Sequence, residues 1–181
     1  MADRTLREIV VVPPVPALLP EHASLVDPVA ELRAAVAAAT AGLRAAGGLV
    51  GVLGSPAAAH VADHLLDGVP HAPYDAERPP ADLAGLLVLG NGSATRTEKA
   101  PGHLDERAEA FDVALGAALA AGDGATLAAV DADLGRALWA EVDALRTLGG
   151  LLRDGGGAWQ VEVTYDDAPY GVQYWVARLT R

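Results

Sequence analysis

Short apolar runs alternate with longer segments of helical periodicity along the first half of the chain. Three runs rich in Val and Leu, at 7–12, 49–53 and 83–89, are bounded by Pro or Gly, which is typical of buried strands. Between them, apolar residues recur at helical spacing over 28–46 and 56–68. This alternation predicts a parallel sheet with helices packed on it.

The second half of the chain is dominated by helices and ends in strands. A strong helix is predicted over 104–121, followed by a mostly helical segment over 125–152 in two pieces. Alternating residues over 159–165 and 172–179 predict two final strands. The predicted fold class is therefore α/β, a single domain over 1–181. Its central, mostly parallel sheet is flanked by helices and carries a C-terminal antiparallel strand pair.

Composition narrows the class of protein. Of the 181 residues, 51% are hydrophobic, which excludes disorder as the main state. No stretch of 18 apolar residues is present, so we expect no membrane partner. Residues 1–5 lack the pattern of a signal peptide, and the absence of cysteine excludes disulfides and thiol catalysis. We therefore expect a cytoplasmic protein.

The charge balance disfavours nucleic acid as a partner. Lys and Arg number 13 against 24 Asp and Glu, which gives a formal net charge of −11. Such a chain repels a phosphate backbone. A local basic patch could still hold a small anion.

The most informative loop follows the third predicted strand and reads GNGSATRTEKAPG. Open parallel sheets bind ligands beyond the carboxyl ends of their strands, and glycines let a backbone approach a ligand closely. One interpretation is a cradle for an anion at a helix start. The other is a polar loop in which Glu98 pairs with Arg96 or Lys99. A later turn, residues 166–171, either lies beside this loop at the carboxyl ends of the strands or only connects the two final strands. The candidate ligand-binding residues are Gly90, Asn91, Gly92, Ser93, Arg96, Glu98, Lys99, Asp166 and Tyr170.

Two histidines offer a metal-binding alternative. His60 and His64 are four residues apart on a predicted helix and therefore share a face. With a third ligand from elsewhere, such as Glu141 or His71, they could hold Fe(II) or Zn(II). The other interpretation is a pair of solvated histidines on the polar face of an amphipathic helix.

Three segments taken together resemble a known family: VVVPPVPALLPEH, GNGSATRTEKAPGHLDERAEAFDVALGAALAAGD and YDDAPYGVQYWVA. They are similar to an actinobacterial group within the superfamily of the catalytic B subunit of class III extradiol ring-cleaving dioxygenases (LigB-like). The resemblance implies an α/β sandwich around a central sheet. It also implies a non-haem Fe(II) site of two His and one carboxylate, which cleaves catechol-type rings with O2.

The positions that carry this chemistry in the superfamily hold other residues here. The turn after the first predicted strand, residues 13–16, has no His, and Gly54-Ser55-Pro56 stands where a His ligand follows the second. Ala94 follows Ser93 where the acid–base His is expected. By resemblance, Glu141 is the counterpart of the carboxylate ligand.

We therefore predict a LigB-like protein that lacks the iron site and holds no cofactor. Such a protein is either catalytically degenerate or repurposed to bind a small anionic or aromatic ligand or a protein partner. The alternative is a ring-cleaving dioxygenase or other metalloenzyme that uses relocated ligands, His60, His64 and Glu141, with Fe(II) or Zn(II). A third hypothesis is an assembly protein with Tyr174 and Trp175 on a dimer face. By resemblance, a homodimer is expected.

Overall fold

The computed structural model describes residues 6–22, 27–155 and 157–181, so residues 1–5, where we expected no signal peptide, lie outside it. The described strands form one mixed sheet in the order β3-β2-β4-β1-β6-β5. Neighbours among β3, β2, β4 and β1 are parallel, whereas β6 is antiparallel to both β1 and β5. The α/β class, the flanking helices and the antiparallel C-terminal strands are thus confirmed. The strands are β1 (Glu8–Val12), β2 (Leu49–Leu53), β3 (His71–Pro73), β4 (Leu83–Leu89), β5 (Gln160–Asp167) and β6 (Tyr174–Thr180).

Both faces of the central strands are covered, which explains their continuous apolar runs. In β1, Val10 and Val12 point into one core, and Ile9 and Val11 point into the other. The first core is closed by the helices of the first half of the chain, and the second by those of the second half. The described helices are α1 (Ala30–Ala45), α2 (Ala59–Leu65), α3 (Ala108–Ala121), α4 (Gly124–Ala128), α5 (Ala132–Ala137) and α6 (Asp143–Asp154).

Local capping explains where the helices of the second half begin and end. Gly122 ends α3 with φ 63°, a conformation that suits glycine. The Asp123 carboxylate accepts a hydrogen bond from the Thr126 N–H and begins α4, and Asp131 begins α5 in the same way. The segment 125–152 therefore forms three short helices rather than two pieces.

Two further expectations differ from the structure. The helix expected from residue 104 begins at Ala108, because the Asp105 carboxylate binds the Arg107 N–H and guanidinium in a preceding turn. Tyr174 and Trp175, expected on a dimer face, are buried in the two cores. None of the helices in the described part of the chain combines the length and hydropathy needed to cross a membrane.

Candidate functional site

The topology brings the predicted loops to one edge of the sheet. The parallel strands β1, β2 and β4 end there at Val12, Leu53 and Leu89. Because β6 is antiparallel to β1 and β5 is antiparallel to β6, the end of β5 and the start of β6 meet the same edge. This is the edge at which open α/β sheets bind ligands.

A buried carboxylate organises the loop after β4. Asp112 of α3 is 2% exposed and accepts hydrogen bonds from the Ser93 N–H at 2.7 Å and the Ser93 hydroxyl at 2.6 Å. The Arg96 guanidinium lies 3.5 Å from the same carboxylate. Burial raises the pKa of Asp112, and the hydrogen bonds from Ser93 and the charge of Arg96 oppose that rise.

Gln173 extends this network to the last two strands. Its main chain is bound to the loop on both sides, since the Gly92 N–H donates to Gln173 O and the Gln173 N–H donates to Ser93 O, each at 2.9 Å. Its side-chain oxygen accepts from Arg96 at 3.1 Å, and its side-chain nitrogen donates to Asp166 at 2.8 Å. The polar groups of the loop are therefore largely satisfied from within the protein.

The candidate ligand-binding residues divide into two groups. Those in contact with the buried network are Asn91, Gly92, Ser93, Arg96 and Asp166, and Gly90 precedes them with its N–H bound to Val12 O at 3.1 Å. Those on the outer surface are Glu98, Lys99 and Tyr170. Tyr170 is 64% exposed, and its backbone has a positive φ of 59°. Among the residues that the structure describes, Arg96 pairs with Glu109 and Asp112 and not with Glu98.

Gly90 and Gly92 are required by the close approach of other protein groups. A Cβ on Gly90 would lie 2.8 Å from the Glu141 carbonyl oxygen, and one on Gly92 would lie 2.5 Å from Asp112 Oδ1. Gly90 and Asn91 thus run along the backbone that precedes α6, where the Asn91 N–H donates to Glu141 O at 3.2 Å.

An open cleft of about 420 Å³ lies where β2 and β4 end, against the start of α6. The Ser55 hydroxyl, from the turn after β2, donates a hydrogen bond across it to Glu141 Oε2 at 3.1 Å. The walls include the apolar side chains of Leu53, Leu89 and Val142. A hydroxyl and a carboxylate over an apolar floor form a mixed surface of the kind that binds small organic ligands.

A second opening of about 480 Å³ is also lined by the Gly54–Pro56 turn and holds a His–Asp pair. His71 Nε2 lies 3.0 Å from Asp63 Oδ1, and His71 Nδ1 lies 2.8 Å from Val69 O. The Asp63 carboxylate, followed by the Val69 carbonyl, raises the pKa of His71. Because both ring nitrogens face acceptors, neither is free to serve as a base toward Ser55.

The structure does not bring together the residues proposed as alternative metal ligands. His60 and His64 are exposed on α2, while Glu141 lies in the cleft before α6. Within residues 6–22, 27–155 and 157–181, no group of three or more His, Cys, Asp or Glu side chains is placed to hold a metal ion.

Sequence reasoning missed Asp112, Gln173 and the pairing of Ser55 with Glu141. Asp112 did carry a signal, since it is the only charged residue between Glu109 and Asp123 in an otherwise apolar helix. The Ser55–Glu141 pair joins residues 86 positions apart and left no local signal.

Comparison with known proteins adds no family: no protein-family model matches the chain, and no curated protein matches it.

Proposed function

We propose that this protein is a LigB-like protein that binds a small organic ligand in the cleft that Ser55 and Glu141 line, and does not cleave rings. The observation that carries the proposal is the 3.1 Å hydrogen bond between these two side chains on the wall of a cleft that is also lined by Leu53, Leu89 and Val142. The cleft lies at the carboxyl edge of the sheet, where this fold class binds ligands.

The placement of these two residues supports the LigB-like interpretation. By resemblance, Ser55 stands near the position of a histidine ligand and Glu141 stands at that of the carboxylate ligand. The two lie far apart in sequence, yet the fold brings them into direct contact at one edge of the sheet. This contact supports the proposal that the cleft corresponds, by the resemblance, to the site that the superfamily uses for chemistry, with different side chains.

The residues present do not fit the iron site of the superfamily. The turn after β1, residues 13–16, supplies no imidazole, and the turn after β2 supplies the hydroxyl of Ser55. Fe(II) sites of this class take two neutral imidazoles and one carboxylate. A single carboxylate that accepts a hydrogen bond from a serine hydroxyl does not replace that set, so we derive no step of ring cleavage.

A fragment screen followed by NMR on ¹⁵N-labelled protein tests the proposal. We expect small organic fragments to shift the amide signals of Ser55 and of the residues at the start of α6. A blocking variant, Ser55→Phe, should abolish these shifts. Its matched control, Ala57→Phe, places the same ring on an exposed residue of the same turn that does not line the cleft, and should leave them unchanged.

A metal titration separates the proposal from the metalloenzyme alternative. Anaerobic Fe(II) and Zn(II) should show no stoichiometric binding at about 50 µM protein, and catechol should not be consumed in the presence of O2. Stoichiometric metal that is lost in Glu141→Gln or in the double variant His60→Ala/His64→Ala would overturn the proposal, as would a screen in which no fragment reaches the cleft.

A further inference from the structure

The charges around the Ser55–Glu141 cleft point to the class of ligand. Resting on the proposed function, we infer that this ligand is a small organic cation, an ammonium group on an apolar body. Its charge is opposite to that of the anionic ligand that the sequence predicts.

Glu141 has no cationic partner in the described part of the chain, whereas the arginine of the cleft lining pairs with another carboxylate. Arg136 Nη1, in the cleft lining, lies 2.6 Å from Asp133. Arg146 Nη1 lies 4.0 Å from Asp143. A carboxylate without a counter-charge beside an apolar surface attracts a cation from solution.

Helix capping does not account for this carboxylate. An acidic side chain near the first turn of α6 would stabilise the helix by accepting from its free amides. However, α6 begins after Val142 without any side-chain hydrogen bond to those amides. The Glu141 carboxylate is bound instead to Ser55, which belongs to a different element. Its negative charge therefore faces the cleft.

The hydrogen-bonding capacity left in the cleft is that of an acceptor. The Ser55 hydroxyl uses its proton on Glu141 Oε2, so its oxygen remains free to accept, and Glu141 Oε1 also accepts. An ammonium group has three donors and no acceptor, and so matches both oxygens. A carboxylate on the ligand would only accept hydrogen bonds and would therefore find no donor in the Ser55 and Glu141 oxygens. The apolar walls, with Leu53, Leu89 and Val142, would cover the body of the ligand.

Three phenyl compounds that differ in one group test the inference: benzylamine, benzyl alcohol and benzoate. Their dissociation constants would be measured at pH 7 by NMR titration of the full chain. We expect benzylamine to bind at least ten times more tightly than the other two, with an affinity that falls as salt rises. Glu141→Gln should remove the preference, and Ser55→Ala should weaken benzylamine several-fold. Glu98→Gln, an exposed carboxylate outside the cleft lining, is the matched control and should change nothing.

Other outcomes overturn the inference in distinguishable ways. Equal binding of all three compounds in the cleft, or a preference for benzoate, would show that the cleft does not select a cation while leaving ligand binding itself intact. Benzylamine binding that survives Glu141→Gln unchanged would show that the ammonium lies elsewhere. Failure of all three compounds to bind would also overturn the inference, and the fragment screen would then decide the proposed function independently.

Discussion

Replacing Asp112 with Ala tests whether the buried network holds the edge of the sheet together. The change removes the acceptor of two donors on Ser93, the backbone N–H and the hydroxyl. It also removes the carboxylate that faces Arg96. Ser93 is 0% exposed, so water does not readily replace the lost acceptor.

The size of the effect follows from these contacts. A buried donor left without an acceptor costs about 1–3 kcal/mol, which gives about 2–6 kcal/mol for the two donors of Ser93. Against this, the ionised Asp112 carries a desolvation cost that its hydrogen bonds do not fully offset, as its raised pKa shows. We therefore expect Asp112→Ala to lower the free energy of unfolding by about 2–4 kcal/mol at pH 7. This corresponds to about 4–16 °C in Tm for a chain of this length.

The pH dependence has a definite sign. Because the pKa of Asp112 is raised above its usual 3.8, the folded protein holds this proton more tightly than the unfolded chain does. The stability contributed by Asp112 is thus fully present below pH 3.8 and is lost as the pH rises through the folded-state pKa. The alanine variant lacks this titration. The difference in unfolding free energy between the two proteins should therefore be larger at pH 4.5 than at pH 7.5.

Urea unfolding followed by tryptophan fluorescence measures both quantities. Trp175 is a suitable reporter, because its ring lies against Gly92 and Gly116 beside the network. Asp133→Ala is the matched control, since that carboxylate is 90% exposed and its pair with Arg136 should be worth less than about 1 kcal/mol. A loss below about 0.5 kcal/mol for Asp112→Ala, or a difference that grows with pH, would refute the reasoning.

Two other predictions follow from individual contacts. Gly92→Ala should destabilise the protein by about 1–3 kcal/mol, because the new Cβ would lie 2.7 Å from Trp175. Gly150→Ala in α6 should stabilise the protein by about 0.5–1 kcal/mol, because nothing lies within 4 Å of the new Cβ. Urea unfolding measures both, and equal effects would contradict the packing argument. Asp63→Asn should lower the pKa of His71, because the Asp63 carboxylate raises it. The variant should therefore lose most unfolding free energy, relative to the unsubstituted protein, below pH 6.5. This loss should fade as the pH rises through the pKa of His71 in the folded protein. NMR titration of the His71 ring gives the shift, and an unchanged midpoint would exclude Asp63 as its cause.

Two strands were predicted at their observed bounds. The runs at 49–53 and 83–89 coincide with β2 and β4, because each is a continuous apolar segment bounded by Gly, Pro or Asp and is covered on both faces. No strand was predicted over the three residues of β3. They contain a proline and form a strand only by pairing with the edge of β2, which is a tertiary effect without local periodicity.

The candidate site shows a different limit of sequence reasoning. The alternation of strands and helices correctly placed the loop after β4 at the carboxyl edge of the sheet. It did not show which acceptors the loop donors would meet, because Asp112 lies 19 residues from Ser93 and Gln173 lies 77 from Arg96. A loop rich in donors looks like an anion cradle until its internal partners are known.

The loop after β4 meets the cleft at the backbone of Glu141. Residues of the loop position the cleft, whereas Ser55 and Glu141 line it. Gly90 approaches the Glu141 carbonyl too closely for any larger residue, and the Asn91 N–H donates to the same oxygen. The loop therefore fixes where the backbone of Glu141 lies, and the side chain of Glu141 then reaches Ser55. Substitutions in the loop should alter the cleft without touching a ligand. Substitutions at Ser55 or Glu141, both exposed, should alter recognition and leave the fold unchanged.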